Sequence, residues 1–147
     1  MNELDQLMTL RQQGFYCSQI LILQGLDMMG KSNPDLVRAM HGLAGGLGFS
    51  GELCGALAGG ASLVALYAGK GTPEEQEDPR LLFIIQDLVK WFKTEYAEQF
   101  GGIRCEEILA GNNQNQATRC PILVAGVLQK VKELLVENGY DLSGLGE

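Results

Sequence analysis

Apolar side chains recur at steps of three and four along almost the whole chain, and no stretch alternates with period two long enough to read as a strand. That rhythm allows helices packed on helices and excludes sheet-based architectures. Leu4, Leu7 and Met8 open a first helix that Gly14 ends, and Ile20, Leu23 and Leu26 mark a second that closes near Gly30. Leu36, Met40, Leu43 and Leu47 trace one face of a third, announced by Ser32-Asn33-Pro34, a capping side chain followed by proline in the first turn. Leu81, Ile85, Leu88, Phe92 and Tyr96 predict a long helix stopping at Gly101-Gly102. Val124, Val127, Val131, Leu134 and Leu135 predict the last, with Asn138-Gly139 as its stop. Linkers fall at Lys70 to Pro79 and at Gly111 to Arg119. The expectation is an all-α fold: one compact helical bundle of about five to six helices, spanning residues 1–147 as a single domain.

Between Leu53 and Gly69 the chain carries no charge for 17 residues. The stretch is short for a membrane span and rich in Gly, Ala and Ser rather than Leu, Ile and Phe. Small residues let helix backbones approach closely, so it reads as a buried central helix.

Two glycine patterns invite a nucleotide reading and fail it. Gly25-Leu26-Asp27-Met28-Met29-Gly30-Lys31-Ser32 satisfies the phosphate-loop spacing GxxxxGK(S/T). Such a loop must wrap its amides around phosphate and open a helix at once. Leu26, Met28 and Met29 suit an apolar helix face instead, and Pro34 removes an amide that helix would need. Gly30 therefore reads as a helix C-terminus. Gly42 to Gly60 holds eight glycines without GxGxxG spacing. They serve close helix packing and a turn at Gly48 to Gly51, or bring backbone close to a small group such as a thiolate or an inorganic centre.

The four cysteines, Cys17, Cys54, Cys105 and Cys120, are 37, 51 and 15 residues apart, so zinc-finger and thioredoxin spacings do not apply. Each falls at an expected helix start, and Cys120, just before Pro121, falls at the cap of the last helix. Free amides and the helix dipole there favour negative charge, which predicts lowered thiol pKa values. Arg104 and Arg119, directly preceding two of the thiols, add to this effect; Glu52, Glu106 and Glu107 oppose it. Against that stands the plain reading of cysteine as a small buried hydrophobe.

The same residues carry a resemblance. Gly14-Phe15-Tyr16-Cys17-Ser18-Gln19, then Gly42-Leu43-Ala44-Gly45-Gly46-Leu47-Gly48-Phe49 before Cys54-Gly55-Ala56-Leu57-Ala58-Gly59, then Phe100-Gly101-Gly102-Ile103-Arg104-Cys105, then Arg119-Cys120-Pro121, together resemble the redox-active C_GCAxxG_C_C family. The likeness runs from about Gly14 into the last helix. The central element departs from the family name, reading Cys-Gly-Ala where the name has Gly-Cys-Ala, and Cys54 is taken as the matching thiol. A similar module accompanies split-Soret cytochromes. The resemblance implies a redox or cluster-binding role for Cys17, Cys54, Cys105 and Cys120.

The leading expectation is a small redox protein whose four thiols converge on one site. They would hold an iron–sulfur cluster, cycle between dithiol and disulfide, or bind a metal ion such as zinc. The competing class is a non-redox helical structural or interaction protein with buried cysteines. His41, the only histidine, reads as structural, or as an extra ligand or proton acceptor beside Cys54. A net charge of −7 with scattered basic residues argues against nucleic acid and membrane surfaces as partners. The acidic start, Met1-Asn2-Glu3-Leu4-Asp5, lacks the basic and apolar regions of a secretion signal, so the expected compartment is cytoplasmic. A homodimer is compatible with this reading; the redox partner is not specified by it.

Overall fold

In the computed structural model, which describes residues 2–144, the all-α expectation holds. Met1 and residues 145–147 of the expected domain lie outside the described residues. The helices are α1 (Glu3–Gln12), α2 (Cys17–Met28), α3 (Pro34–Met40), α4 (Gly55–Ala68), α5 (Leu81–Phe92), α6 (Cys105–Leu109) and α7 (Gln116–Glu137). Among the described residues that is six helices of seven or more residues and one shorter, slightly more than anticipated. Among the described residues there is no strand; Leu53 and Arg104 form an isolated antiparallel bridge.

The helix starts follow the capping residues in the sequence. The Asn2 side chain accepts from the Asp5 amide at 2.8 Å and Asn33 from the Leu36 amide at 3.1 Å, with Pro34 in the first turn of α3. Gly30 ends the α2 segment in the left-handed region, at φ 68°, so Gly25 to Ser32 is a helix and its stop rather than a phosphate loop. α5 continues through a π-helical turn, Lys93–Ala97, and a last turn, Glu98–Phe100, to its expected stop at Gly101.

α4 is the central helix, and its small residues explain how. On one side α2 lies so close that a methyl on Gly59 would meet Ser18 Cα at 3.0 Å. On another, a methyl on Gly60 would meet Val127 Cγ1 of α7 at 2.5 Å and Leu88 Cδ2 of α5 at 3.2 Å. The main core gathers Leu21, Leu57, Leu63, Leu88, Phe92 and Leu128 around α4, each sealed from solvent. Each such side chain contributes roughly 1.5–3 kcal/mol by burial. A second cluster, Ile22, Leu26, Val37 and Met40, joins α2 to α3. There Ser18 Oγ donates to Met40 O at 2.8 Å and Gln19 Nε2 to Val37 O at 3.3 Å, satisfying carbonyls at the end of α3. Among the described residues no helix is long and apolar enough to cross a membrane.

Two boundaries differ from expectation. The third helix stops at Met40 rather than running to Leu47. Beyond a 3₁₀ turn at His41–Leu43, Gly45 and Gly46 take φ of 65° and 75°, and the chain folds back on itself. The Glu52 amide then donates to Gly46 O and the Gly51 amide to Gly45 O, both at 3.1 Å. The expected turn at Gly48 to Gly51 is present, with Gly48 and Gly51 at positive φ. The expected linker Gly111 to Arg119 is cut short because α7 begins at Gln116.

Candidate functional site

The glycine-rich return and the segment before α6 lie side by side. The Cys54 amide donates to Ile103 O at 3.1 Å and the Cys105 amide donates to Glu52 O, so Leu53 and Arg104 face each other across the bridge. In such a ladder side chains alternate, which turns Cys54 and Cys105 to the same face, as diagonal neighbours roughly 7–8 Å apart. Cys54 is the cap residue of α4, while Cys17 and Cys105 are the first residues of α2 and α6.

Cys17 reaches this face from α2, where glycine admits it. A Cβ on Gly55 would stand 2.5 Å from Cys17 Sγ, and a Cβ on Gly46 would stand 2.9 Å from Cys105 Cβ and 2.5 Å from the Glu52 amide nitrogen. Glycines beside a thiol were anticipated as a class; that Gly46 and Gly55 fill this role becomes visible only in the fold. The fourth thiol, Cys120, packs with Cys105 and Leu109, and shares a small cavity with Cys17 that Leu7, Met8 and Arg11 of α1 close.

Cys120 corrects the sequence reading. It is the fifth residue of α7, not its cap, because the helix starts a turn earlier and carries Pro121 in its interior. Its sulfur therefore sits beyond the first-turn amides.

All four cysteines are free and buried, at 3–8% exposure. Ionising any one is opposed by the others: Cys17 feels Cys54, Cys120 and Cys105, Cys120 feels Cys54 and Cys105, and Cys54 feels Cys105. Every pair is thus coupled. Desolvation is the larger effect at each thiol, and it reverses the expected direction of the pKa shifts. Burial and then the neighbouring thiols push Cys120 up to about 12 and Cys17 up strongly. Cys54 is pushed up to about 11 by burial, although the amides of Leu57 and Ala56 pull it down as a helix start should. Burial also raises Cys105. Helix-start amides act in the anticipated sense at Cys54 and, through Ser18, at Cys17; loss of water outweighs them.

The anticipated cations are engaged elsewhere. The Arg104 guanidinium contacts Glu52 at 3.1 Å and Glu106 at 3.2 Å, and Arg119 donates to Ile108 O and lies over Phe100. Glu107, foreseen only as an opposing charge, accepts from the Arg104 amide at 3.0 Å and so caps α6. The cation that does favour an ionised Cys120 is Arg11, which no local motif in the sequence marks. His41 is exposed and stacks on Tyr16, which meets Phe49 edge-on. That contact suits its structural reading.

The donor set suits a thiophilic centre by chemistry: four soft, buried sulfurs, with backbone kept bare beside two of them. Around one zinc ion with Zn–S near 2.3 Å, sulfurs sit only roughly 3.8 Å apart. Among the described residues no three or more Cys, His, Asp or Glu side chains are gathered as one ion requires.

A family model described as "Putative redox-active protein (C_GCAxxG_C_C)" matches residues 15–134, a span that includes all four cysteines. No curated protein and no solved structure matches the chain.

Proposed function

The chain belongs to the C_GCAxxG_C_C family of redox-active proteins, and from that premise we propose that Cys17, Cys54, Cys105 and Cys120 hold an iron–sulfur cluster for electron transfer. The observation that carries this reading is the coupling of four buried thiols drawn from four separate segments. Four thiolates this deep in the interior cannot stand uncompensated, and burial keeps them protonated and poorly nucleophilic when no cation is bound. Iron would take the place of the protons, and four thiolates are the usual ligand set of such clusters. A bound cluster would supply one-electron chemistry. The chain's own part is to offer the four sulfurs, exclude water and, through Gly46 and Gly55, leave room beside them.

A second reading, dithiol–disulfide cycling, is favoured at Cys17 and Cys120, which open onto one cavity. Joining them would release two protons and two electrons to an acceptor.

Anaerobic treatment of the reduced protein with ferrous iron and sulfide tests both. The cluster reading expects bound iron and acid-labile sulfide in equal amounts, with visible absorption that Cys54→Ser or Cys105→Ser diminishes. A colourless product with two thiols reversibly lost on oxidation transfers the assignment to the second reading. A colourless product with four unreactive thiols overturns both, leaving a helical structural protein with buried cysteines.

A further inference from the structure

A cavity of about 720 Å³ lies between α1, α2 and α3, within the size range of small-molecule sites. We propose that it binds an amphipathic organic anion, its apolar body between α1 and α3 and its charged group at Lys31. Leu10, Leu23, Leu26 and Val37 supply apolar wall.

The polar groups are what make this a site rather than a packing defect. Gln24 is 7% exposed, and among the described residues its amide has no hydrogen-bond partner. No side-chain nitrogen or oxygen sealed from solvent lacks a partner there, so the Gln24 amide opens onto the cavity. Gln19, also on the lining, is already engaged with the protein: Oε1 accepts from the Tyr16 amide at 3.1 Å while Nε2 donates to Val37 O. An amide that faces the cavity without a protein partner is available to a ligand carrying an acceptor or donor at that depth.

Charge selects the ligand's sign. Lys31 and Arg38 lie on the lining with His41, against the single carboxylate of Asp27, in a chain of net charge −7. Arg38 is held by Asp35 at 2.6 Å, whereas Lys31 has no ion-pair partner among the described residues. Phe15 and Gln19, two residues either side of Cys17, also line the cavity, so an occupant would lie along the outer wall of the thiol site. The proposal does not depend on that site's redox reading.

The probe is 8-anilinonaphthalene-1-sulfonate, an aromatic body with one anionic group, titrated into iron-free reduced protein at low ionic strength. Using iron-free protein keeps the outcome separate from the fate of the cluster reading. The expected result is saturable fluorescence enhancement at one probe per chain, abolished by Leu23→Trp, which fills the cavity. Lys31→Glu, at an exposed position, should weaken binding by at least about threefold, an effect that shrinks in high salt. Phe83→Ser, at an exposed apolar position on α5, should leave binding unchanged. Circular dichroism establishes which variants fold; if Leu23→Trp does not, Lys31→Glu and Gln24→Leu decide. Absence of saturable enhancement, binding indifferent to all the cavity variants, or binding lost in Phe83→Ser overturns the proposal.

Discussion

A single methyl group is the sharpest probe of the thiol site. Gly55→Ala places a carbon 2.5 Å from Cys17 Sγ, so either the sulfur or α4 must move. The expected outcome is a loss of about 1–3 kcal/mol in stability together with reduced iron uptake, measured by urea unfolding and metal analysis. Gly42→Ala, with open space around the added carbon, is the matched control and should leave both unchanged. The thiols also fix a pH dependence. Their folded pKa values lie above the ordinary value near 9, with Cys54 at about 11. Below about pH 7.5 both states keep their protons and stability is flat. Above it the unfolded chain releases protons that the folded chain retains, so stability of the iron-free protein falls, by up to about 1.4 kcal/mol per pH unit per thiol. Urea midpoints at pH 7, 8, 9 and 9.5 test this; a constant or rising midpoint contradicts it. Helix-start placement was legible from the sequence for Cys17, Cys54 and Cys105. The sign of their ionisation was not, because helix position is local and water exclusion is set by Leu7, Met8 and the other residues that close over them.

At the scale of elements, α4 depends on what it lacks. Helix propensity alone predicts that Gly59→Ala stabilises the protein by about 1 kcal/mol. The structure predicts the opposite sign, because the new carbon meets backbone, Ser18 Cα at 3.0 Å and Ser18 O at 3.1 Å, which cannot rotate away. A net loss of about 1–3 kcal/mol in thermal or chemical unfolding is expected, and a gain would mean that α2 and α4 separate easily. The uncharged stretch from Leu53 to Gly69 was readable as this helix because only a close crossing makes sense of so many small residues. The end of α3 was not readable: the apolar spacing continues smoothly to Leu47, while the chain passes into a 3₁₀ turn after Met40 and then turns back through positive φ at Gly45 and Gly46. The start of α7 was missed for a related reason. Cys120-Pro121 looks like a first turn, and only packing holds the proline inside a helix that begins at Gln116.

At the scale of the whole molecule, the four cysteines of the candidate site come from segments up to 103 residues apart in sequence, so their approach depends on holding the long α7 in register against α4. The segment after α7 does this at the end of the helix remote from Cys120. Tyr67 Oη on α4 donates to Leu142 O at 2.6 Å, Tyr140 Oη donates to the Asp78 carboxylate, and Arg80 donates to Asn138 O at 2.7 Å and to Asp78 at 2.8 Å. Arg80 and Tyr140 hold the Asp78 carboxyl well below the usual carboxylate range and give the latch its own pH limit. An acid whose folded pKa is depressed stabilises the fold above its unfolded value, and that contribution is lost as pH falls below about 4. Tyr140→Phe should lower stability by about 0.5–1.5 kcal/mol, and Asp78→Asn should do likewise at pH 7. Because the two side chains share one hydrogen bond, the double variant should lose less than the sum of the singles, and the Tyr140→Phe protein should be less sensitive to acid than the parent. Additive losses with an unchanged acid profile would show that the two groups act separately and that the latch is not a unit.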